Sequence, residues 1–305
     1  NTNPVNDNKS ITEYIIKKAK SEGACRVLPC GAMTKGLKGK ELAEIGEMYE
    51  AGIVAISDDG KSIRNSETLR KALEYAKLFN IPAISHCEDE DLSKGFVHEG
   101  GASVISGIEP IPAIAEEIIV KRDMTIAKYV KTPIHLTHIS TKGSVESIGE
   151  MKKKYDLITC DTCPHYFTLT DRATLSFDTN TKVNPPLRSK EDVKAIKEGL
   201  REEIIDIIAT DHAPHDLTSK DVEFDIASSG ISGLETALGL SMALVHEGVL
   251  SMSMLIKKFT ENPAKFLNLP YGGLAHGDAA DIIVFDPDYE WTVDKNNFVS
   301  KGKNT

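Results

Sequence analysis

Asp211, His212 and His215 follow an apolar run, Ile204-Ile205-Asp206-Ile207-Ile208, within the stretch Ala209-Thr210-Asp211-His212-Ala213-Pro214-His215. An acid and imidazoles at the end of a buried strand are what a barrel enzyme uses to hold a metal ion at its mouth. Taken alone, the run could also be a polar turn after a buried strand, the less favoured reading. Three other strand-like runs end in the same residue types: Ser57-Asp58-Asp59, Ser85-His86-Cys87-Glu88-Asp89 and His135-Leu136-Thr137-His138. Four such ends are hard to assign to solvent-facing loops. Side chains alternate faces along a strand, so one of Asp58 and Asp59, and one of His135 and His138, can face the mouth. Active sites lie at the carboxyl ends of barrel strands, which favours the later members, Asp59 and His138. With His86 and Asp211 they form a set of two carboxylates and two imidazoles. Such a set suits zinc, manganese or non-haem iron, and zinc is preferred for hydrolysis.

The elements that must position these residues alternate along the chain. Strand-like runs fall at 25–29, 52–56, 81–85, 133–138, 157–159 and 204–210. Between them, helical patterns cover 39–50, 111–130, 144–155 and 189–202, the last opening on a Ser189-x-x-Asp192 box. Leu69, Leu73, Ala76 and Phe79 recur at helical spacing behind a cap at Asn65 or Ser66. This is the rhythm of parallel βαβ units, and polar strand ends favour a closed barrel over a doubly wound sheet. The expected fold is α/β, a TIM-like (β/α)8 metal-dependent hydrolase barrel. Six units are counted, so its first two strands are expected to lie before Asn1, and both chain ends read as cut. The barrel is expected over 1–270. A composition shift at 271–278 and a strand-like run at 279–286 predict part of a small appended β domain over 271–305.

Composition narrows the function classes. The 305 residues are 40% hydrophobic with a net charge of −10, which argues against a nucleic-acid groove or an anionic membrane surface. Five cysteines, an odd number with no secretory segment ahead of them, predict a reducing, cytoplasmic setting rather than a disulfide framework. Cys160-Asp161-Thr162-Cys163 lacks a second pair for a zinc knuckle, so its cysteines are read as structural.

Ordered motifs extend the reading. Asn1-Thr2-Asn3-Pro4, Ser57-Asp58-Asp59-Gly60, His86-Cys87-Glu88-Asp89, His138-Ile139-Ser140-Thr141, Val183-Asn184-Pro185-Pro186-Leu187-Arg188, Asp211-His212-Ala213-Pro214-His215 and Gly230-Ile231-Ser232-Gly233-Leu234-Glu235-Thr236-Ala237 span nearly the whole chain. Together they resemble the motifs of the bacterial-type dihydroorotases of the amidohydrolase superfamily. Several are shared with hydantoinases and allantoinases; the first, fifth and last are the more specific. The family's H-x-H-x-R motif would lie upstream of Asn1, and no H-x-H occurs in this chain.

The resemblance implies that Asp59 bridges two zinc ions where many amidohydrolases use a carboxylated lysine. It implies that His86 and His138 bind the second metal, and that Asp211 binds the first and shuttles protons. Asn1, Asn184 and His215 would hold the substrate, and Ser229 and Gly230 would offer backbone groups to a pyrimidine ring. The implied reaction is the reversible cyclisation of N-carbamoyl-L-aspartate to dihydroorotate in pyrimidine biosynthesis. Other cyclic amidohydrolases, or a non-catalytic partner of a carbamoyltransferase, are the alternatives. A homodimer is expected, with association with aspartate carbamoyltransferase also open.

Overall fold

A computed structural model describes residues 2–305. Its centre is a six-stranded sheet, all of whose pairings are parallel: β1 (Cys30–Gly31), β2 (Ala55–Ser57), β3 (Ala83–His86), β6 (Ile134–Thr137), β7 (Ile158–Thr162) and β8 (Ile207–Ile208). Two short strands, β4 (Val97–His98) and β5 (Pro110–Ile111), pair separately. The six lie side by side in chain order. A doubly wound sheet reverses its order at a switch point, whereas winding in one direction is that of a barrel.

Helices supply the crossovers: α1 (Lys9–Glu22), α2 (Ile45–Ala51), α3 (Ser66–Leu78), α4 (Gly101–Ser106), α5 (Ile114–Val130), α6 (Lys142–Lys152), α7 (Pro164–Thr168), α8 (Lys190–Arg201), α9 (Ala237–His246), α10 (Met252–Phe259) and α11 (Glu261–Phe266). Their starts follow local chemistry. Asn65 Oδ1 accepts the amides of Glu67 and Thr68 to cap α3, and Ser189 with Asp192 forms the reciprocal box at α8. α3 turns an apolar stripe of Leu69, Ala72, Leu73 and Ala76 inward. These meet Ile56, Ala83, Ile134, Leu136 and Ile158 of the sheet in one continuous core. Gly199 lets α8 approach α6, since a Cβ there would stand 2.9 Å from Val145 Cγ1.

Three expectations need correction. The first strand forms at Cys30–Gly31 rather than at 25–29, where the chain is non-regular; Pro29, which has no N–H, immediately precedes it. The run at 204–210 is strand only at Ile207–Ile208. The apolar stretch 279–286 forms no strand, and Ile282, Ile283 and Val284 are exposed. A period-two pattern specifies a strand only where a partner edge meets it. The cysteines behave as read: Cys87, Cys160 and Cys163 are buried and unpaired, and Cys25 is exposed. Among the described residues no helix is long and apolar enough to cross a membrane.

Candidate metal centre at the strand ends

Three strand ends converge on one point. Asp59 lies two residues past β2, His86 ends β3, and His138 follows β6. One donor atom from each lies within 4.8 Å of the others, and among the described residues this is the group found that could hold an ion. His138 Nε2 is 3.1 Å from Asp59 Oδ1, and His86 Nδ1 is 2.9 Å from His138 Nε2 and 3.5 Å from Asp59 Oδ1.

The alternation argument separates the neighbouring candidates. Asp58 is buried, accepting the amides of Met33 and Thr34 and the Thr34 hydroxyl, so it braces the loop after β1. His135 is held between Thr159 Oγ1 and Asp161 Oδ2, each at 2.8 Å. Neither joins the cluster.

The donors fit a divalent ion. One carboxylate oxygen and two imidazole nitrogens are a set that zinc accepts. His86 gives its other nitrogen to Glu88 Oε2 at 2.9 Å, the carboxylate–histidine pairing that fixes a ligating ring. Burial by itself raises the Asp59 carboxyl, but hydrogen bonds from His138 and His86 outweigh it and hold the group far below the usual range. Its side chain remains 41% exposed, so solvent screens part of that pull. Burial opposes charge on His86, yet Asp59 and Glu88 raise the ring to about 10. The same contest, with Asp59 as the chief raising partner, lifts His138.

Asp211 stands outside the three-residue cluster. It follows β8 in left-handed backbone, φ +44°, much as His138 does at +43°. Burial raises its carboxyl, partly offset by the nearby positive charge of His138. A carboxyl shifted upward suits a group that must take and return a proton.

A pocket of about 410 Å³ is lined in part by Glu88, Asn184, Ser229, Lys61, Lys182 and Phe96. Asn184 donates to Glu88 Oε2 at 3.1 Å, so one carboxylate links the His86 ring to the pocket wall. Ser229 lines it as well, while His215 Nε2 lies 2.9 Å from the Ser229 carbonyl. The Gly230 amide donates to Lys182 O and its carbonyl accepts from Asn304, so its backbone groups are engaged within the protein here. Asn1 lies outside the described residues. Another cavity, about 580 Å³, opens at the strand-start end among Lys152, Asp206 and Lys258. There Lys152 bonds both oxygens of Asp206 and Lys258 bonds the Ile205 carbonyl.

Glu88 and Asp161 carry contacts that the sequence reading did not single out. The signal for Glu88 is its place in His86-Cys87-Glu88-Asp89, two residues beyond His86. Asp161 was hidden inside a Cys-x-x-Cys pattern.

The amidohydrolase family model matches residues 17–305. The chain belongs to the amidohydrolase family. Among other members, it is 51% identical to a dihydroorotase of Syntrophus aciditrophicus and 52% to one of Trichlorobacter lovleyi, covering all of this chain and 72% of each relative. In fold, this amidohydrolase matches an L-hydantoinase from Arthrobacter aurescens with a TM-score of 0.83 at 22% identity, over 95% of this chain and 67% of that one. A dihydropyrimidinase from Brevibacillus agri follows at 0.71 and 22%, over 80% and 57%. Amidohydrolases are metal-dependent hydrolases on TIM-type barrels, in keeping with the strand order and the cluster.

Proposed function

We propose that this amidohydrolase is a dihydroorotase, interconverting N-carbamoyl-L-aspartate and (S)-dihydroorotate, with zinc at the strand ends. The observation that carries the reading is the convergence of Asp59, His86 and His138 from three strands near a polar pocket. Identity near 51% with dihydroorotases along the whole chain supports the choice of substrate. Asp59, His86, His138 and Asp211 would hold the metal, two zinc ions in the intact enzyme. Bound there, zinc supplies Lewis-acid polarisation of an amide carbonyl and makes water acidic enough to ionise near neutral pH.

The protein's own groups do the rest. Asp211 takes a proton from the attacking water and returns it to the departing ring nitrogen, and in ring closure the transfers run in reverse. Asn184, fixed by Glu88, holds the substrate with Ser229, and His215 keeps the Ser229 peptide in place. The hydantoinase fold matches favour a second reading, a hydantoin or dihydropyrimidine hydrolase with the same donors.

Steady-state turnover of dihydroorotate, dihydrouracil and hydantoin by the metal-loaded, full-length protein separates the two readings. Preference for dihydroorotate by kcat/KM is expected. Preference for dihydrouracil or hydantoin would move the assignment to the second reading.

A further inference from the structure

We infer that Asp161 is a positioning residue for the metal centre, acting through the backbone of His138. Asp161 belongs to β7 and is 4% exposed. Oδ1 accepts the His138 amide at 2.6 Å, and Oδ2 accepts the Thr137 hydroxyl at 2.9 Å. Its own carbonyl accepts the Ile139 amide at 2.9 Å. One residue of β7 therefore holds three consecutive residues at the end of β6.

That end requires holding. His138 leaves the extended conformation with φ +43°, a region that non-glycine residues adopt at a cost. The left-handed turn accompanies the swing of the ring toward Asp59 and His86. An amide in such a turn has lost its place in the strand ladder, and the Asp161 carboxyl oxygen replaces the lost acceptor for this buried N–H. His135 completes the clamp: its Nε2 lies 2.8 Å from Oδ2, its Nδ1 2.8 Å from Thr159 Oγ1, and its ring packs 4.3 Å from that of Phe266. The carboxylate is thus held from below and holds His138 above. His138 Nδ1 is buried with no partner among the described residues, so no side-chain hydrogen bond there orients the ring. Apart from the contacts its Nε2 makes within the cluster, its orientation rests on the backbone that Asp161 grips.

The inference rests on the metal-site reading, and its test separates the two. Zinc affinity of the full-length protein, measured by chelator competition, is compared for wild type, Asp161→Ala, Asp161→Asn and His86→Ala, with cobalt absorption reporting coordination geometry. Loss of the clamp in Asp161→Ala is expected to weaken binding by about 10–100-fold and alter the cobalt spectrum, the scale seen when groups behind metal ligands are removed. Asp161→Asn keeps one acceptor oxygen and the side-chain size, and is expected to lose less. If Asp161→Ala does not fold, Asp161→Asn decides, because weaker binding with unchanged circular dichroism supports the clamp. Wild-type affinity and cobalt spectrum in a folded Asp161 variant, alongside loss of zinc in His86→Ala, overturn this inference alone. Undiminished zinc binding in His86→Ala overturns the metal-site reading itself.

Discussion

Asp211 and Asn184 divide two kinds of work, and substitution distinguishes them. Asp211→Asn preserves volume but cannot accept a proton, so kcat is expected to fall at least ~100-fold, plus any loss from weakened metal binding. Metal content measured on the same preparation separates the contributions, and near-normal turnover would assign the base elsewhere. Asn184→Ala removes a contact made in ground and transition states alike, so KM is expected to rise with kcat nearly unchanged. At this scale the sequence was informative wherever one strand's geometry decided the matter. Alternation and the carboxyl-end rule favour Asp59 over Asp58 and His138 over His135, and in the structure Asp59 and His138 meet while Asp58 and His135 are engaged elsewhere. Glu88 on Asn184 and Asp161 on His138 were not legible, because they join residues 96 and 23 positions apart. No local pattern encodes such pairs.

Among the elements, the loop before α9 leaves little room for a small change beside the candidate site. Gly230 has φ +136°, and a Cβ there would stand 2.5 Å from Ala213 Cβ and 3.0 Å from His215 Nε2. Gly230→Ala is expected to cost about 1–3 kcal/mol in denaturant unfolding through overpacking, and to raise KM by displacing Ser229. An unchanged midpoint together with an unchanged KM would show that the loop absorbs the methyl group freely. Element types were readable where capping or periodicity spoke, as at Asn65, Ser189 and the apolar stripe of α3. The pair β4 and β5 escaped notice because two residues carry no period. The run 279–286 misled for the opposite reason, since it has a strand's composition but no paired edge.

For the molecule as a whole, the candidate metal cluster of Asp59, His86 and His138 joins the ends of β2, β3 and β6 at one end of the sheet, and an ion held there would tie them together. Binding to the native state alone stabilises it by mass action, about 2.7 kcal/mol at a free metal concentration of 100 Kd. Chelation is therefore expected to lower the denaturant midpoint, and zinc to restore it; identical unfolding curves would show that no ion bridges these strands. The order of the six strands followed from the alternation of elements, because parallel neighbours need crossovers and sequential crossovers leave few arrangements. The distribution of thiols has a practical consequence. Burial pushes Cys87, Cys160 and Cys163 far from the reactive thiolate form and Cys30 to about 12, which leaves exposed Cys25 as the accessible nucleophile. It lies just before β1, at the strand-start end of the sheet, whereas Asp59, His86 and His138 gather at the other. Among the cysteines of residues 2–305, a maleimide dye should thus attach at Cys25 in the native state and at all five after denaturation. Within this chain the folded state would carry one reporter, at the end of the sheet away from the Asp59, His86 and His138 cluster.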